Sequence, residues 1–404
     1  MKFAGYILSI VSFLALPVFA LAEDGNGAKR LEELEKRIKI LEEKGAAPKA
    51  EPAPSPAVPA LPSSATGISR VFNPAFSVNG LFLGTYRSEK NKDQTADVKT
   101  GLNVQELELQ ATAYIDTYLR GDIVLSLPTA ESIEIEEAIV DFVPMRNLSA
   151  RAGKFLAAFG KHNQLHTHQF PFIDAPLVSS ELFGESLNEK GVGLNWVAPS
   201  PWYSEVNFQL LEGENAAALN SRFNDDFGYL LHNKNLWDLN EDTTAELGGS
   251  YLYGKNNAET HNATHAVGGN LTVKWKPVRR AIYNTLIWQT EYLAAFKENG
   301  IDPVSDVKLY DDRGGVYTSL QYQFARRWWI QGRYDYFGLH AANDANDKQR
   351  WSGLLAFVPS EFSAVRLQYN HLDYANSGTL GLKNEHQVLL QLNFTMGSHP
   401  AHKY

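Results

Sequence analysis

The chain of 404 residues contains no cysteine and only three methionines. Without thiols it can build neither a disulfide framework nor a thiolate metal or redox site, so its stability must come from burial or from a membrane. Beyond residue 22 it has no uncharged apolar run of about 18 residues, which excludes a spanning helix. Its formal charge of −9 leaves no cationic surplus for a phosphate backbone and excludes nucleic acid as a partner. It also lacks a nucleophile elbow, an HExxH pair and a glycine-rich phosphate loop, so no constellation asks for catalysis and an enzyme is not expected.

The N-terminal stretch MKFAGYILSIVSFLALPVFALA places Lys2 before a short apolar run and closes on Ala20, Leu21 and Ala22. That is the pattern of a cleavable secretory signal over residues 1–22. In KRLEELEKRIKILEEK, Leu31, Leu34, Ile38 and Leu41 are spaced by three, four and three residues, the a and d positions of a short coiled coil within 23–45. So short a helix is marginal alone, which predicts self-association held by something larger. Residues 46–67 are rich in Pro and Ala and read as an extended spacer.

From residue 68 to the end the period is two. In QELELQATAYI the apolar Leu107, Leu109, Ala111, Ala113 and Ile115 alternate with Glu106, Glu108, Gln110 and Thr112. The same alternation runs through GVYTSLQYQF, WWIQGRYDYF and HQVLLQLNFTM, and marks antiparallel strands with one apolar face. About sixteen such strands are predicted, joined alternately by short turns and by long polar loops such as 88–101, 156–188, 294–311 and 373–382. Aromatics including Trp196, Trp202, Trp328 and Phe357 edge the short turns. An aromatic girdle at one rim and long loops at the other predict an all-β transmembrane antiparallel barrel in outer-membrane lipid.

Closure satisfies every backbone amide inside lipid, and sixteen strands leave an aqueous channel where eight would not. The polar face is then the lumen. The even strand count places both ends on one side, so the coil is expected to project into the periplasm and to favour a trimer or another small cyclic assembly.

A secretory signal, coil, spacer and sixteen-stranded barrel resemble the Gram-negative porins, and loosely the phosphate-selective porins. FNPAFSVNG (72–80), ARAGKFLAAFGKHNQLHTHQFPFIDAP (150–176), LTVKWKP (271–277), NTLIWQTEYL (284–293) and GSHPAHKY (397–404) resemble more closely the porin-like barrels often labelled zinc-regulated TonB-dependent outer-membrane receptors. The resemblance implies the barrel and the outer membrane, and suggests zinc. It also implies recognition by the barrel-assembly machinery, through Tyr404 or Phe394 as the terminal aromatic.

In porins the third surface loop commonly folds inward, so by resemblance residues 156–188 are the constriction candidate. Phe170, Phe172, Ile173, Leu177, Leu182 and Phe183 give that loop apolar mass, and Pro171 and Pro176 stiffen it. It would bring His162, His166 and His168, with Asp174, Glu181 and Glu185, to the solute path. Three imidazoles could hold zinc weakly, pin the loop by hydrogen bonds, or form a loose cation surface. No other cofactor is implied. His261 and His265 form a weaker pair.

On the strands, Glu106, Glu108, Glu134 and Glu136 are expected on one lumen wall and Arg333, Asp335 and Arg366 on the facing one, a transverse field of the kind that orients polar solutes. With neutral imidazoles the loop is acidic and the pore should prefer cations, a preference that should weaken below about pH 6 as the histidines protonate. Passive diffusion of small hydrophilic solutes or ions is the leading reading. A metal-ion uptake barrel and a structural tether gripping the periplasmic layer through the coil are the rivals.

Overall fold

The computed structural model describes residues 74–397 except 89–99, 129–131, 185, 222, 224, 257–261, 281–282, 303–304, 306, 342–346 and 375–383. The signal, coil seam and spacer, with Glu185, His261 and Tyr404, lie outside the described residues.

Sixteen antiparallel strands close on themselves. They are β1 Ala75–Arg87, β2 Gly101–Tyr114, β3 Leu119–Pro128, β4 Glu134–Met145, β5 Leu148–Leu156, β6 Asn188–Val197, β7 Tyr203–Leu211 and β8 Gly228–Asn240, followed by β9 Thr243–Lys255, β10 Ala263–Trp275, β11 Thr285–Ile301, β12 Lys308–Ala325, β13 Trp328–Leu339, β14 Lys348–Ser360, β15 Ser363–Tyr374 and β16 Asn384–Gly397. Each strand pairs with its sequence neighbours, and β1 pairs with β16 from Ser77↔Gly397 to Arg87↔Gln387, which leaves no edge to hydrogen-bond with water or lipid.

The alternation in the sequence becomes inside and outside. On β16 Leu390 and Leu392 are exposed while Gln391 is fully covered, and on β13 Ile330 is exposed while Arg333 and Asp335 are buried. The barrel is therefore inverted relative to a soluble core, with its hydrocarbon surface outward and its polar residues inward. Near the short turns, Trp202 pairs with Trp237 at 6.2 Å and Trp328 with Phe357 at 4.8 Å between ring centroids, parts of the expected girdle.

One expected loop is mostly strand. The ladder of β11 and β12 continues through Ala294↔Gly314 and Glu298↔Tyr310 to Ile301↔Lys308, so the connection shrinks from 294–311 to 302–307. The charges of this hairpin suggested a loop, but the ladder is made by backbone hydrogen bonds and needs no apolar alternation.

Two bulges decide the chemistry of the interior. Between β1 and β2 the register passes from Leu81↔Glu106 to Phe82↔Val104, so Gln105 is the extra residue. Between β3 and β4 it passes from Val124↔Glu137 to Leu125↔Ile135, so Glu136 is extra. A bulge re-aims the side chains beside it. Glu137 is buried in the bore, Glu136 is beside it, and Glu134, opposite Ser126, is exposed and accepts from Ser132 Oγ at 3.3 Å. The Ser126 hydroxyl bonds Glu106 in the bore, so Glu134 keeps the lumen face expected of it; what strict alternation misses is Glu137, which the inserted residue brings to the same face.

Candidate functional site

The connection between β5 and β6, residues 157–187, folds into the barrel and is fastened to three stretches of its wall. Asn163 closes its base: its Nδ2 donates to Ala157 O (2.8 Å) and Leu187 O (3.0 Å), and its Oδ1 accepts from Leu187 N–H (2.7 Å). The chain then turns at Gly160, at φ +65°, where a Cβ would stand 1.9 Å from Glu291 Oε1. Only glycine allows that approach.

The first fastening lies on β9 to β11. Lys161 and His162 donate their backbone N–H groups to the two oxygens of Glu291, at 2.7 and 3.3 Å, and Lys161 Nζ reaches Glu246 Oε1 at 2.9 Å and Thr272 Oγ1 at 3.1 Å. Tyr317 donates to Glu291 Oε2 at 2.8 Å from β12. The ring of His162 packs 4.3 Å from that of Phe170. It is held by stacking and burial, away from the other two imidazoles.

The second lies on β2 and β4. His168 Nδ1 stands 3.0 Å from Glu108 Oε2, and Asn393 Nδ2 donates to the His168 carbonyl at 3.0 Å. His166 sits between carboxylates, with Nδ1 at 3.2 Å from Glu136 Oε1 and 3.8 Å from Glu108 Oε2, and Nε2 at 3.2 Å from Glu137 Oε2. The rings of His166 and His168 stack at 5.8 Å. Behind them Glu108 Oε1 accepts from Asn79 Nδ2 (2.8 Å), whose Oδ1 accepts from Thr395 Oγ1 (2.7 Å), and Glu106 accepts from Ser126 Oγ.

The third lies on β13 to β15. Asp174 accepts from Arg333 Nη2 (2.7 Å), Arg350 Nη1 (2.8 Å), Gln368 Nε2 (2.7 Å) and Asn370 Nδ2 (2.9 Å). Asp335 accepts from the Nε groups of Arg333 and Arg350, at 2.9 and 3.1 Å, and from Leu177 N–H at 3.0 Å, the first residue of the short helix α1, Leu177–Phe183. Arg366 Nη1 donates to Phe170 O at 2.6 Å and Lys348 pairs with Glu181, while from β2 Gln105 Nε2 donates to Ile173 O at 3.1 Å. Phe172 and Ile173 pack on Leu83, Leu354 and Leu389, while Phe159, Val178 and Phe183 join Leu293, Tyr317 and Phe337.

Loop and wall thus form a bar across the bore, and the polar groups in it are mostly satisfied. Burial pushes His162 down to about 3, with Arg333 adding to the effect. Burial works against a proton on His166 as well, but Glu136, Glu137 and Glu108 outweigh it and hold that imidazole well above its ordinary range. Burial would raise Asp174; Arg350 and Arg333 reverse it and hold the carboxyl well below the usual range. Neither His162 nor His166 therefore changes charge near pH 6, which removes the ground for a shared histidine switch there.

The three histidines do not converge. His166 and His168 come together with Glu106, Glu108 and Glu136, whereas His162 belongs to the Glu291 wall. Glu137, Arg350, Gln105 and Glu291 complete the arrangement and were not singled out in the sequence; the first and third owe their place to bulges, which no periodicity reveals. The acids and arginines do not face each other across the diameter either. Going round the ring from β14 through β15, β16, β1 and β2 to β3 takes five steps of sixteen, and Asp174 with Asp335 already balances Arg333 with Arg350.

A closed barrel of this kind has counterparts among solved proteins. The anion-selective porin from Comamonas acidovorans superposes with a TM-score of 0.55 at 12% identity, over 80% of this chain and 99% of that one. The fold is that of the outer-membrane porins. The trimer form of OmpT, an outer membrane protein of Vibrio cholerae, superposes with a TM-score of 0.52 at 11% identity, over 80% of this chain and 98% of that one. By sequence, 339 residues are 29% identical to an uncharacterized protein of Aquifex aeolicus (strain VF5), covering 76% of this chain and 71% of that protein. No protein-family profile matches the chain. These likenesses support the porin side of the resemblance drawn from the sequence and give no support to the TonB-dependent receptor label.

Proposed function

We propose that the protein is an outer-membrane porin through which small hydrophilic solutes, cations before anions, diffuse passively. The observation that carries this reading is the loop 157–187, folded inside a closed sixteen-stranded barrel and fastened to its wall at Glu291, at the Glu108 cluster and at the Asp174 clamp. A tether needs a barrel in lipid but no such bar inside it; a pore needs one to set its bore. Purified protein in planar bilayers is expected to give stepwise, ohmic currents. A barrel that inserts and insulates would overturn the reading and favour the tether.

The porin reading includes a homo-oligomer, a trimer being favoured by the seam of Leu31, Leu34, Ile38 and Leu41. Deleting residues 23–45 is expected to weaken the trimer seen on native gels without changing unit conductance. Trimers of unchanged stability would assign association to the barrel wall instead. Passage of metal ions is the second reading, favoured by the mixture of imidazole and carboxylate at the loop tip.

A further inference from the structure

The acidic wall holds more donors than loop anchoring uses. Glu136 Oε2 and Glu106 Oε2 are buried with no hydrogen-bond partner among the described residues, and Glu106 is only 7% exposed. His166 Nδ1 is at ion-pair distance from Glu136 but likewise makes no aligned hydrogen bond. Buried polar atoms are ordinarily paired, so the two orphan carboxylate oxygens point to a missing positive partner.

We propose that Glu108, Glu136 and His166 bind one divalent transition-metal ion, which staples the tip of the loop to the barrel wall. The three donor atoms lie within 4.8 Å of one another. Nitrogen and oxygen ligands at about 2.1 Å from a tetrahedral ion stand about 3.4 Å apart. His166 Nδ1 is 3.2 Å from Glu136 Oε1 and 3.8 Å from Glu108 Oε2, so a contraction of the set completes it.

The surroundings are those of a ligand set. A metal-bound imidazole usually gives its other nitrogen's proton to a carboxylate, and His166 Nε2 faces Glu137 Oε2 at 3.2 Å. Glu137 is itself fixed by Leu156 N–H at 3.1 Å, and Glu108 is fixed through Asn79 and Thr395. One imidazole with carboxylates suits zinc and its first-row neighbours rather than calcium or magnesium, which take oxygen alone and in larger number.

The ligands come from three separate segments, β2, the bulge of β4 and the loop, so the ion cross-links them and its binding is tied to the position of the loop. A buried, chelating site holds its ion; conduction needs sites an ion can leave. The ion is accordingly a resident clamp and not the cargo. This stapling role rests on the loop being the constriction of a pore, whereas binding does not.

The test is a titration of the tag-free, full-length protein in detergent with Co2+, read by visible absorption, and with Zn2+, read by calorimetry. One ion per chain is expected, with affinity lowered more than ~10-fold in Glu136→Gln and in His166→Ala and unchanged in Glu134→Gln. Strand content by circular dichroism verifies that each variant is folded, and Glu108→Gln gives a third, independent ligand change. No saturable binding below millimolar ion, or equal binding by Glu136→Gln and His166→Ala, overturns the site. Site-dependent binding by a protein that conducts nothing leaves the site standing and removes the pore; a conducting protein whose current and loop proteolysis ignore the bound ion removes the staple.

Discussion

Replacing Asp174 by Ala is expected to free the middle of the loop and give a larger, noisier pore current. The carboxylate joins the loop to Arg333, Arg350, Gln368 and Asn370 at 2.7 to 2.9 Å, and among the described residues no other loop carboxylate pairs with those two guanidinium groups, though the Phe172 ring lies 4.5 Å from that of Arg333. Without it Asp335 is the one carboxylate left to Arg333 and Arg350 among the ion pairs of the described residues, beside the backbone carbonyls of residues 174 and 175. Removing one partner of a buried ion pair costs about 3–5 kcal/mol, because the remaining charge stays desolvated. Referred to the docked segment, that is a shift of about a hundredfold or more towards release.

Glu291, Asn163 and the packing of Phe159 and Phe183 should still hold the two ends, so residues 170–175 swing while the barrel stays closed. Uncovered guanidinium groups would also admit more anions. Single-channel recording, with limited proteolysis of the loop, checks the expectation. A variant with native conductance, native selectivity and a protected loop would show that the clamp does not set the bore.

The barrel was legible because lipid imposes a rule on every strand: Gln391 in and Leu390 out, Arg333 in and Ile330 out, repeated around the ring. The inward loop was legible only through resemblance and its apolar content; the residues that receive it lie on strands far away in sequence. Asp174 finds Arg333 159 residues on and Arg350 176 residues on, pairings set by barrel closure rather than by any local pattern. Where the period of two fails, at the extra residues Gln105 and Glu136, the reading failed with it: Gln105 and Glu137, which both reach the loop, were passed over. Both irregularities face the loop. Histidine count misled for a related reason, since three imidazoles within seven residues are turned to two different walls by single 3₁₀ turns at His162–Gln164 and Thr167–Gln169.

Neutralising the acid wall, by Glu108→Gln, Glu136→Gln and Glu137→Gln together, is expected to abolish the cation preference of the native pore at pH 7. At the clamp the two guanidinium groups of Arg333 and Arg350 are matched by Asp174 and Asp335, so their fields largely cancel, and Arg366 adds one positive charge bonded to Gln391 and Phe170 O. At the other wall Glu108, Glu136 and Glu137 surround one protonated imidazole, that of His166, and three minus one leaves an excess of about two negative charges. One uncompensated charge about 8 Å from a passing ion is worth about 2 kcal/mol at an effective dielectric of about 20, enough to sort cations from anions severalfold even after partial screening. Reversal potentials under a salt gradient, measured with a chelator so that no bound metal contributes, read the excess directly. The native preference should fade towards 1 M salt, where the screening length is about 3 Å. Anion selectivity in the native protein would place the solute path beside Arg366 and away from the Glu108 wall, and with it would go the cation reading of the pore.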